Sequence, residues 1–170
     1  MRSFSLLSLT LLVAVVLASC GGEATKELAT LEGDGFSVSM PGKPTRSEQS
    51  VPTPRGTVKA ISYTSDSRDQ AFSIGYTVLP SGVTGDLKGA IAGGATNVGG
   101  TVRDEKTTTH QGFKARDARI TGAADNKGTL FVRAILAKNR LYVLQYIGDG
   151  PDLRKPPPEY TTIVNSLKIR

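Results

Sequence analysis

The sequence contains little of the side-chain chemistry on which exported and catalytic proteins commonly depend. Its 170 residues include one cysteine, Cys20, one histidine, His110, and no tryptophan. A single cysteine excludes an intrachain disulfide and a site built from several thiolates. We therefore expect the folded part of the chain to be held together by packing alone.

Motifs for catalysis are also missing. A serine hydrolase needs a nucleophile, a base and an oxyanion hole in mutual geometry, yet the sequence has neither a G-x-S-x-G nor an S-x-x-K motif. His110 falls in a predicted turn, where we expect a solvated or capping role. We predict no catalytic residue, and we expect that the protein is not an enzyme.

Two kinds of segment match ligand-binding loops only in part. The glycines within residues 89–94 are not followed by the Lys-Ser/Thr pair of a phosphate-binding loop, and we predict instead that they let a helix lie close to a sheet. Asp149 and Asp152 lack the twelve-residue frame and terminal glutamate of a calcium loop. The same interpretation applies to Asp66 and Asp69, so turns are expected and no cofactor-binding or metal site is predicted.

The charge balance is basic without being concentrated. The chain carries 21 Lys and Arg against 15 Asp and Glu, a net charge of +6. Basic residues from Lys59 to Arg140 alternate with acidic and apolar ones, whereas a nucleic-acid surface would cluster them with aromatic residues. We predict no nucleic-acid partner. A solvated basic surface is favoured over an attraction to an anionic leaflet.

What the sequence does have is concentrated at its beginning. Arg2 is followed by an apolar stretch rich in leucine and valine, with no charged residue until Glu23, which is typical of a secretory signal. Polar residues interrupt this stretch, and it ends at Ala18 and Ser19. It is therefore shorter than the about 20 apolar residues that span a membrane. We predict that residues 1–19 are a cleaved signal peptide.

Leu17, Ala18, Ser19 and Cys20 resemble the lipobox of bacterial lipoproteins at all four positions. The resemblance implies that Cys20 receives a diacylglycerol, that cleavage occurs before it, and that the new amino group is often acylated. A free thiol after an ordinary signal peptide is the alternative. Several acyl chains hold a protein far more firmly than one, so the predicted partner of Cys20 is the membrane, through its lipid.

The predicted location is the extracytoplasmic face of a bacterial membrane. In enterobacterial lipoproteins an aspartate after the cysteine favours the inner membrane, and here the residue is Gly21. An outer-membrane position is therefore favoured if the organism has two membranes. Residues 20–34 have few apolar side chains and are predicted to form a flexible tether, which reaches roughly 50 Å when stretched. A short helix over residues 24–31 is the alternative.

Residues 35–170 suffice for one domain, and alternating apolar residues predict strands within it. Phe36, Val38 and Met40 mark the first strand, which a Pro-Gly-Lys-Pro turn ends. Further strands are predicted at residues 57–64, 71–79, 101–109, 114–121, 129–137 and 141–147. In the second strand, Val58, Ala60 and Ser62 are assigned to one face.

Two helices are predicted. Apolar residues recur at helical intervals between residues 87 and 98, with Thr84 or Asp86 as the N-cap and the glycine pair at 99–100 as the end. Three consecutive prolines precede a second helix over residues 159–166.

The strands at 129–137 and 141–147 are apolar on both faces. We therefore expect them at the centre of a sheet that is covered on each side. The connections between the strands after the first helix are short, which favours antiparallel neighbours.

The order of these features resembles the PsbP-like (Mog/PsbP-like) fold family, found in plant oxygen-evolving complexes and in many bacterial lipoproteins. The likeness covers most of residues 35–170. It rests on the mid-chain helix and on the segments G-F-S-V-S-M-P-G-K-P at 35–44, R-L-Y-V-L at 140–144 and I-V-N-S-L-K-I at 163–169. The resemblance implies an α+β domain with a single antiparallel β-sheet flanked by helices, acting as a binding or assembly module. No functional residue is carried over, because the shared pattern is structural.

These inferences predict a lipid-anchored, non-enzymatic domain of the bacterial envelope that binds an envelope protein or a small ligand. The alternative is a carrier of a small molecule or lipid, with its cavity between the sheet and the helix at residues 87–98, where alanines and glycines leave space. Cys20 is the only residue to which the sequence assigns a chemical role, and that role belongs to processing.

Overall fold

The structure is a computed structural model that describes residues 27–53, 56–66, 70–150 and 152–170. The predicted signal peptide, Cys20 and Asp69 lie outside the described residues. The strands are β1 (Leu28–Gly33), β2 (Phe36–Pro41), β3 (Thr45–Thr53), β4 (Gly56–Asp66), β5 (Gln70–Val78), β6 (Thr101–His110), β7 (Phe113–Gly122), β8 (Gly128–Ala137), β9 (Arg140–Asp149) and β10 (Lys168–Ile169). The helical segments are α1 (Leu87–Asn97), α2 (Ala123–Asn126), which is one turn containing left-handed residues, and α3 (Pro158–Ser166).

The strands form two antiparallel sheets, so the prediction of a single sheet was wrong. The larger sheet has the order β3-β4-β5-β9-β8-β7-β6, and the smaller has the order β1-β2-β10. Pro41 and Pro44 bracket the connection from β2 to β3, and prolines supply no N–H to continue a ladder. β2 instead packs Phe36, Val38 and Met40 into the core shared with the larger sheet. The fold is therefore mostly β.

The strand predictions were confirmed for β2 and for β4 to β9, and both predicted helices are present. The predicted tether extends too far, because residues 28–33 form β1, which pairs with β2 along its whole length. Leu28 and Leu31 of β1 pack against the core. The alternative of a helix over residues 24–31 is wrong for the same reason, because residues 28–31 belong to β1. β3 was not predicted, because its polar sequence has no alternation.

One face of the larger sheet carries large aromatic side chains. Phe36 of β2 is fully buried, and its ring lies 5.9–6.0 Å from the rings of Tyr63, Tyr76 and Tyr142 in edge-on contacts. Such pairs add about 0.5–1.5 kcal/mol each beyond burial alone. The assignment of faces in β4 was incomplete, because it omitted Ile61 and Tyr63, which pack on the core. The predicted set of Val58, Ala60 and Ser62 lies on the opposite face of the strand.

The opposite face is covered by α1 with smaller side chains. Ile91 and Ala95 are buried in a cluster with Ala118 and Ile120 of β7. Asp86 is the N-cap, as predicted, and its carboxylate accepts a hydrogen bond from the Lys88 N–H at 3.0 Å.

The glycines of α1 do not bring it close to the sheet, contrary to the prediction. A Cβ at Gly93 or Gly94 would meet nothing within 4 Å. The close approach occurs after the helix, where a Cβ at Gly100 would lie 2.5 Å from the Ile120 side chain and 3.0 Å from a backbone oxygen.

β8 and β9 lie at the centre of the larger sheet and contribute to both clusters, as predicted. In β8, Phe131 and Ile135 belong to the aromatic cluster, whereas Leu130 and Val132 belong to the cluster under α1. α3 packs on the aromatic face beside the smaller sheet, through Tyr160 and its apolar neighbours. This face is therefore covered by two different elements, and the charged residues described below line the edge of that cover.

Candidate functional site

His110 is the last residue of β6 and is buried, so the solvated role is wrong. Its Nε2 lies 3.1 Å from the carbonyl oxygen of Leu167, the C-cap residue of α3, and Gln111 Nε2 donates to the same oxygen at 2.8 Å. Burial lowers the pKa of His110, and the hydrogen bond with Leu167 partly offsets this effect. The predicted capping role is confirmed, although the cap acts on α3 across the fold.

The acidic residues considered for calcium separate in the structure. Asp149 is exposed at the end of β9 and accepts a hydrogen bond from the Gly150 N–H at 3.1 Å, whereas Asp152 pairs with Arg119 and Arg154. Within residues 27–170, apart from the undescribed positions, no group of three or more His, Cys, Asp or Glu is arranged to hold a metal ion.

Three charged residues align across β6, β7 and β8. Asp117 is the register partner of Lys106 on one side and of Arg133 on the other. Arg133 donates to Asp117 through a fork, from Nε to Oδ1 at 2.6 Å and from Nη2 to Oδ2 at 2.7 Å. Lys106 Nζ lies 3.9 Å from Oδ2. The hydrogen bonds to Asp117 raise the pKa of Arg133, so the guanidinium stays charged.

Arg119 lies two residues further along β7, on the same face, and its side chain is only 7% exposed. Its Nε and Nη2 contact Asp104 Oδ2 at 2.7 and 2.6 Å, and its Nη1 donates to Asp152. Asp104 lies in a register shift of β6 and has a left-handed backbone with φ of 48°. Bulges of this kind redirect side chains, and here the result is a carboxylate facing a buried guanidinium. Hydrogen bonding to Asp104 raises the pKa of Arg119.

A groove of about 360 Å³ lies between α3 and these charged strands. We call it the α3 groove. Its charged lining comprises Asp104, Lys106, Asp117, Arg119, Arg133 and Arg154. Its apolar lining includes Phe131, Pro156 and Val164. Four cationic side chains therefore face two acidic ones, beside an apolar wall.

Tyr160 of α3 also lines this groove. It is 8% exposed, and its hydroxyl has no hydrogen-bond partner among the residues that the structure describes. Burial raises the pKa of Tyr160, the Asp117 charge raises it further and the Arg133 charge lowers it. The phenol is therefore a neutral donor near this ion pair. A buried polar group without a partner costs about 1–3 kcal/mol, so its presence calls for an explanation.

A second, more open groove of about 900 Å³ lies at the end of the larger sheet and shares Asp104, Arg119 and Arg154 with the first. Its charged lining is balanced, with Arg103, Arg119 and Arg154 facing Asp104, Asp125 and Asp152. A groove without net charge offers less to an ionic ligand than the α3 groove does.

Neither groove lies where the sequence predicted a cavity. The contact between α1 and the sheet is formed by Ile91 and Ala95, which are 2% and 4% exposed. The predicted carrier cavity under α1 does not correspond to either groove.

The sequence missed the α3 groove because its charges are far apart along the chain. They come from β6, β7, β8 and the segment before α3, and only strand pairing brings them together. One signal was present: Ala115, Asp117 and Arg119 alternate with Ala118 and Ile120. This period-2 pattern places two charges on the face that begins with a buried alanine.

The fold has a solved counterpart. The chain is similar to the solution structure of cyanobacterial PsbP (CyanoP) from Synechocystis sp. PCC 6803, with a TM-score of 0.60 and 14% sequence identity over 91% of this chain and 99% of that one. The fold is PsbP-like. At this identity the likeness concerns the fold alone, and it confirms the PsbP-like prediction for the fold.

Comparison of the sequence with protein-family models gives no match. Comparison with curated proteins gives none either. None of the helices in the described part of this PsbP-like chain is long and apolar enough to cross a membrane. Lipidation of Cys20 stays a prediction.

Proposed function

We propose that this PsbP-like chain is a lipid-anchored protein of the bacterial envelope that acts by binding rather than by catalysis, and that the α3 groove is its binding site. The observation that carries the proposal is the groove itself, where cationic side chains lie beside an apolar wall and a Tyr160 hydroxyl that has no partner among the described residues. Binding sites commonly combine an apolar lining with a few placed polar groups.

The anchor part of the proposal rests on the lipobox, which ends at Cys20. Because β1 begins at Leu28, seven residues would separate the lipidated cysteine from the first strand. At about 3.3 Å per residue they span at most about 23 Å, so the domain would lie against the membrane surface. A partner would then have to reach the α3 groove from the membrane surface or from the space close to it.

The absence of catalysis rests on the chemistry of the groove. Its carboxylates are bound by arginines: Asp117 by Arg133 and Asp104 by Arg119. A general base needs a free acceptor, whereas both oxygens of Asp117 accept from Arg133 and Asp104 Oδ2 is held by Arg119. The groove is therefore suited to holding an acceptor-rich group.

Labelling with palmitate tests the anchor. We expect the full chain expressed in a lipoprotein-processing bacterium to incorporate labelled palmitate and to fractionate with membranes. The Cys20→Ser variant should do neither. Equal labelling of both chains, or of neither, would contradict the anchor.

Site-specific photocrosslinking in the native envelope tests the binding site. A photoreactive residue at Thr161, which is exposed and lines the groove, should give a discrete adduct. The matched control is Lys88, which is exposed on α1. Adducts of equal yield from both positions would show that the groove is not a preferred contact. Reproducible turnover of a substrate that Lys106→Gln abolishes would show that the groove is catalytic and would overturn the binding function.

A further inference from the structure

The donors left over in the α3 groove indicate the chemistry of its ligand. Arg133 uses Nε and Nη2 for Asp117, so its Nη1 is outside that fork. Lys106 Nζ is 3.9 Å from the same carboxylate, and its side chain is 70% exposed. The Tyr160 hydroxyl has no partner among the described side chains and backbone groups. Arg133 of β8 and Lys106 of β6 therefore present donors to the groove, while its nearest acceptor is already occupied. The Tyr160 hydroxyl of α3 is buried beside them.

The local charge sets the valence of a matching ligand. Arg119 and Arg154 are balanced by Asp104 and Asp152, with which they pair. The remaining charges, those of Lys106, Asp117 and Arg133, sum to one net positive charge, and the Tyr160 phenol, held neutral by burial, adds none. One singly charged anion balances this set. A carboxylate fits a guanidinium edge and can accept from neighbouring donors at the same time.

The apolar wall and the size of the groove set the rest of the ligand. Phe131, Pro156 and Val164 line the groove beside the charged strands. A volume of about 360 Å³ falls at the lower end of the range for small-molecule sites. It therefore admits an organic group of modest size rather than a folded surface.

We propose that the α3 groove binds a small organic monocarboxylate, with the carboxylate held by Arg133 and Lys106 and its apolar body against Phe131 and Val164. The buried Tyr160 hydroxyl would shift toward the groove and donate to the bound carboxylate. This inference rests on the proposed binding function and names its ligand class. Tyr160 is the most diagnostic residue, because its hydroxyl has no partner within the described part of the chain and gains one when the carboxylate binds.

The test uses the full chain purified in a non-ionic detergent and titrated with 3-phenylpropanoate, with amide shifts read by NMR. The neutral analogue 3-phenylpropanol and the cation 3-phenylpropylamine have the same apolar body. We expect the carboxylate alone to give saturable shifts, clustered on α3 and on β6 to β8. Equal shifts from the alcohol, or shifts clustered on α1, would overturn the proposal.

Two variants connect the affinity to the donors. Tyr160→Phe keeps the ring and should weaken carboxylate binding about tenfold or more, the worth of one hydrogen bond to a charged acceptor. Lys106→Gln should weaken it about threefold or more, whereas Lys88→Gln, the same change on α1, should leave it unchanged. Affinity unaffected by both groove variants would overturn the assignment.

Folding of Tyr160→Phe is checked by thermal melting. Because the hydroxyl has no partner among the residues that the structure describes, its removal should leave the melting temperature unchanged or raise it. A lower melting temperature would mean that the hydroxyl is bonded within the fold, which contradicts the proposal. If no carboxylate binds while Thr161 still gives its specific adduct in the envelope, the ligand class is wrong and the binding function stands. If the adduct is also absent, both fail.

Discussion

The two faces of the seven-stranded sheet are covered in different ways. The face under α1 is closed by small aliphatic side chains, with Ile91 and Ala95 packed on alanines and branched residues. The other face is shared between β2 and α3, and its core is largely aromatic. Beyond the part of this face that β2 and α3 cover, the sheet carries Asp117, Arg119 and Arg133. The α3 groove lies there. The charged residues lie at this edge of the cover, between α3 and strands β6 to β8.

The largest expected effect is a difference in the free energy of unfolding between substitutions in the two cores. Phe36→Ala removes a fully buried ring that touches three tyrosines and should cost about 3–5 kcal/mol, whereas Ile91→Val under α1 should cost about 1 kcal/mol. Chemical denaturation with a linear extrapolation measures both. If the two substitutions cost the same, the aromatic face is not the more strongly packed one.

The next effect concerns the ion pair in the groove. Asp117→Asn leaves the partly buried Arg133 without its carboxylate, and we expect a loss of about 2 kcal/mol in the free energy of unfolding. The control is Glu48→Gln on β3, whose partners Arg46 and Lys59 are exposed, and no measurable change is expected there. A neutral result for Asp117→Asn would indicate that solvent replaces the carboxylate.

A smaller effect, of the opposite sign, is expected on α1. Gly93→Ala adds a methyl group into open space within a helix and should stabilise the protein by about 0.5–1 kcal/mol. Gly89→Ala should gain less, since its Cβ would lie 2.6 Å from the Asp86 carboxylate that caps the helix. Thermal melts of the two variants side by side decide this. A loss of stability with Gly93→Ala would show that the exposed side of α1 is not open.

The smallest effect is a pH dependence. Burial lowers the pKa of His110 in the folded state, with Arg133 lowering it and Asp117 raising it. Between the lowered folded pKa and the ordinary value of 6.5, the unfolded chain binds a proton at His110 more readily than the folded chain does. The neutral ring therefore contributes fully to the free energy of unfolding above pH 6.5, and this contribution is lost as pH falls through this window. His110→Gln should reduce the slope of stability against pH there. If the slope is unchanged, the loss of stability at low pH comes from carboxylates and not from His110.

Much of the fold could be predicted because its strands carry their own patterns. β5 alternates Phe72, Ile74 and Tyr76 on the buried face, and α1 repeats its apolar residues every three or four positions. β1 and β3 carry no such signal: β3 is an edge strand with most of its side chains in solvent, so its polarity reads as a loop. The Asp34-Gly35 pair, with Gly35 at φ of 78°, is a hairpin signal that would have indicated β1.

The candidate site could not be predicted, because the local sequence does not say which strands become neighbours. Lys106 and Arg133 are 27 positions apart and meet only because β6, β7 and β8 pair in register. The bulge that turns Asp104 toward Arg119 is likewise a property of the pair of strands. What the sequence does record is the polarity of β7, where two charges occupy positions that continue a buried face.

The three-stranded sheet has a consequence for the order of folding. β2 lies near the start of the described chain, and one of its two neighbours is β10, whose Lys168 pairs with Ser37. The last residue, Arg170, donates its N–H to the Gly35 carbonyl at 2.9 Å. Contacts between such distant positions carry a large loop-closure cost and slow folding. A chain that emerges amino end first must therefore leave the edge of β2 at Phe36 and Ser37 unpaired until β10 arrives. During that interval this edge is a site for chaperone binding or misassembly.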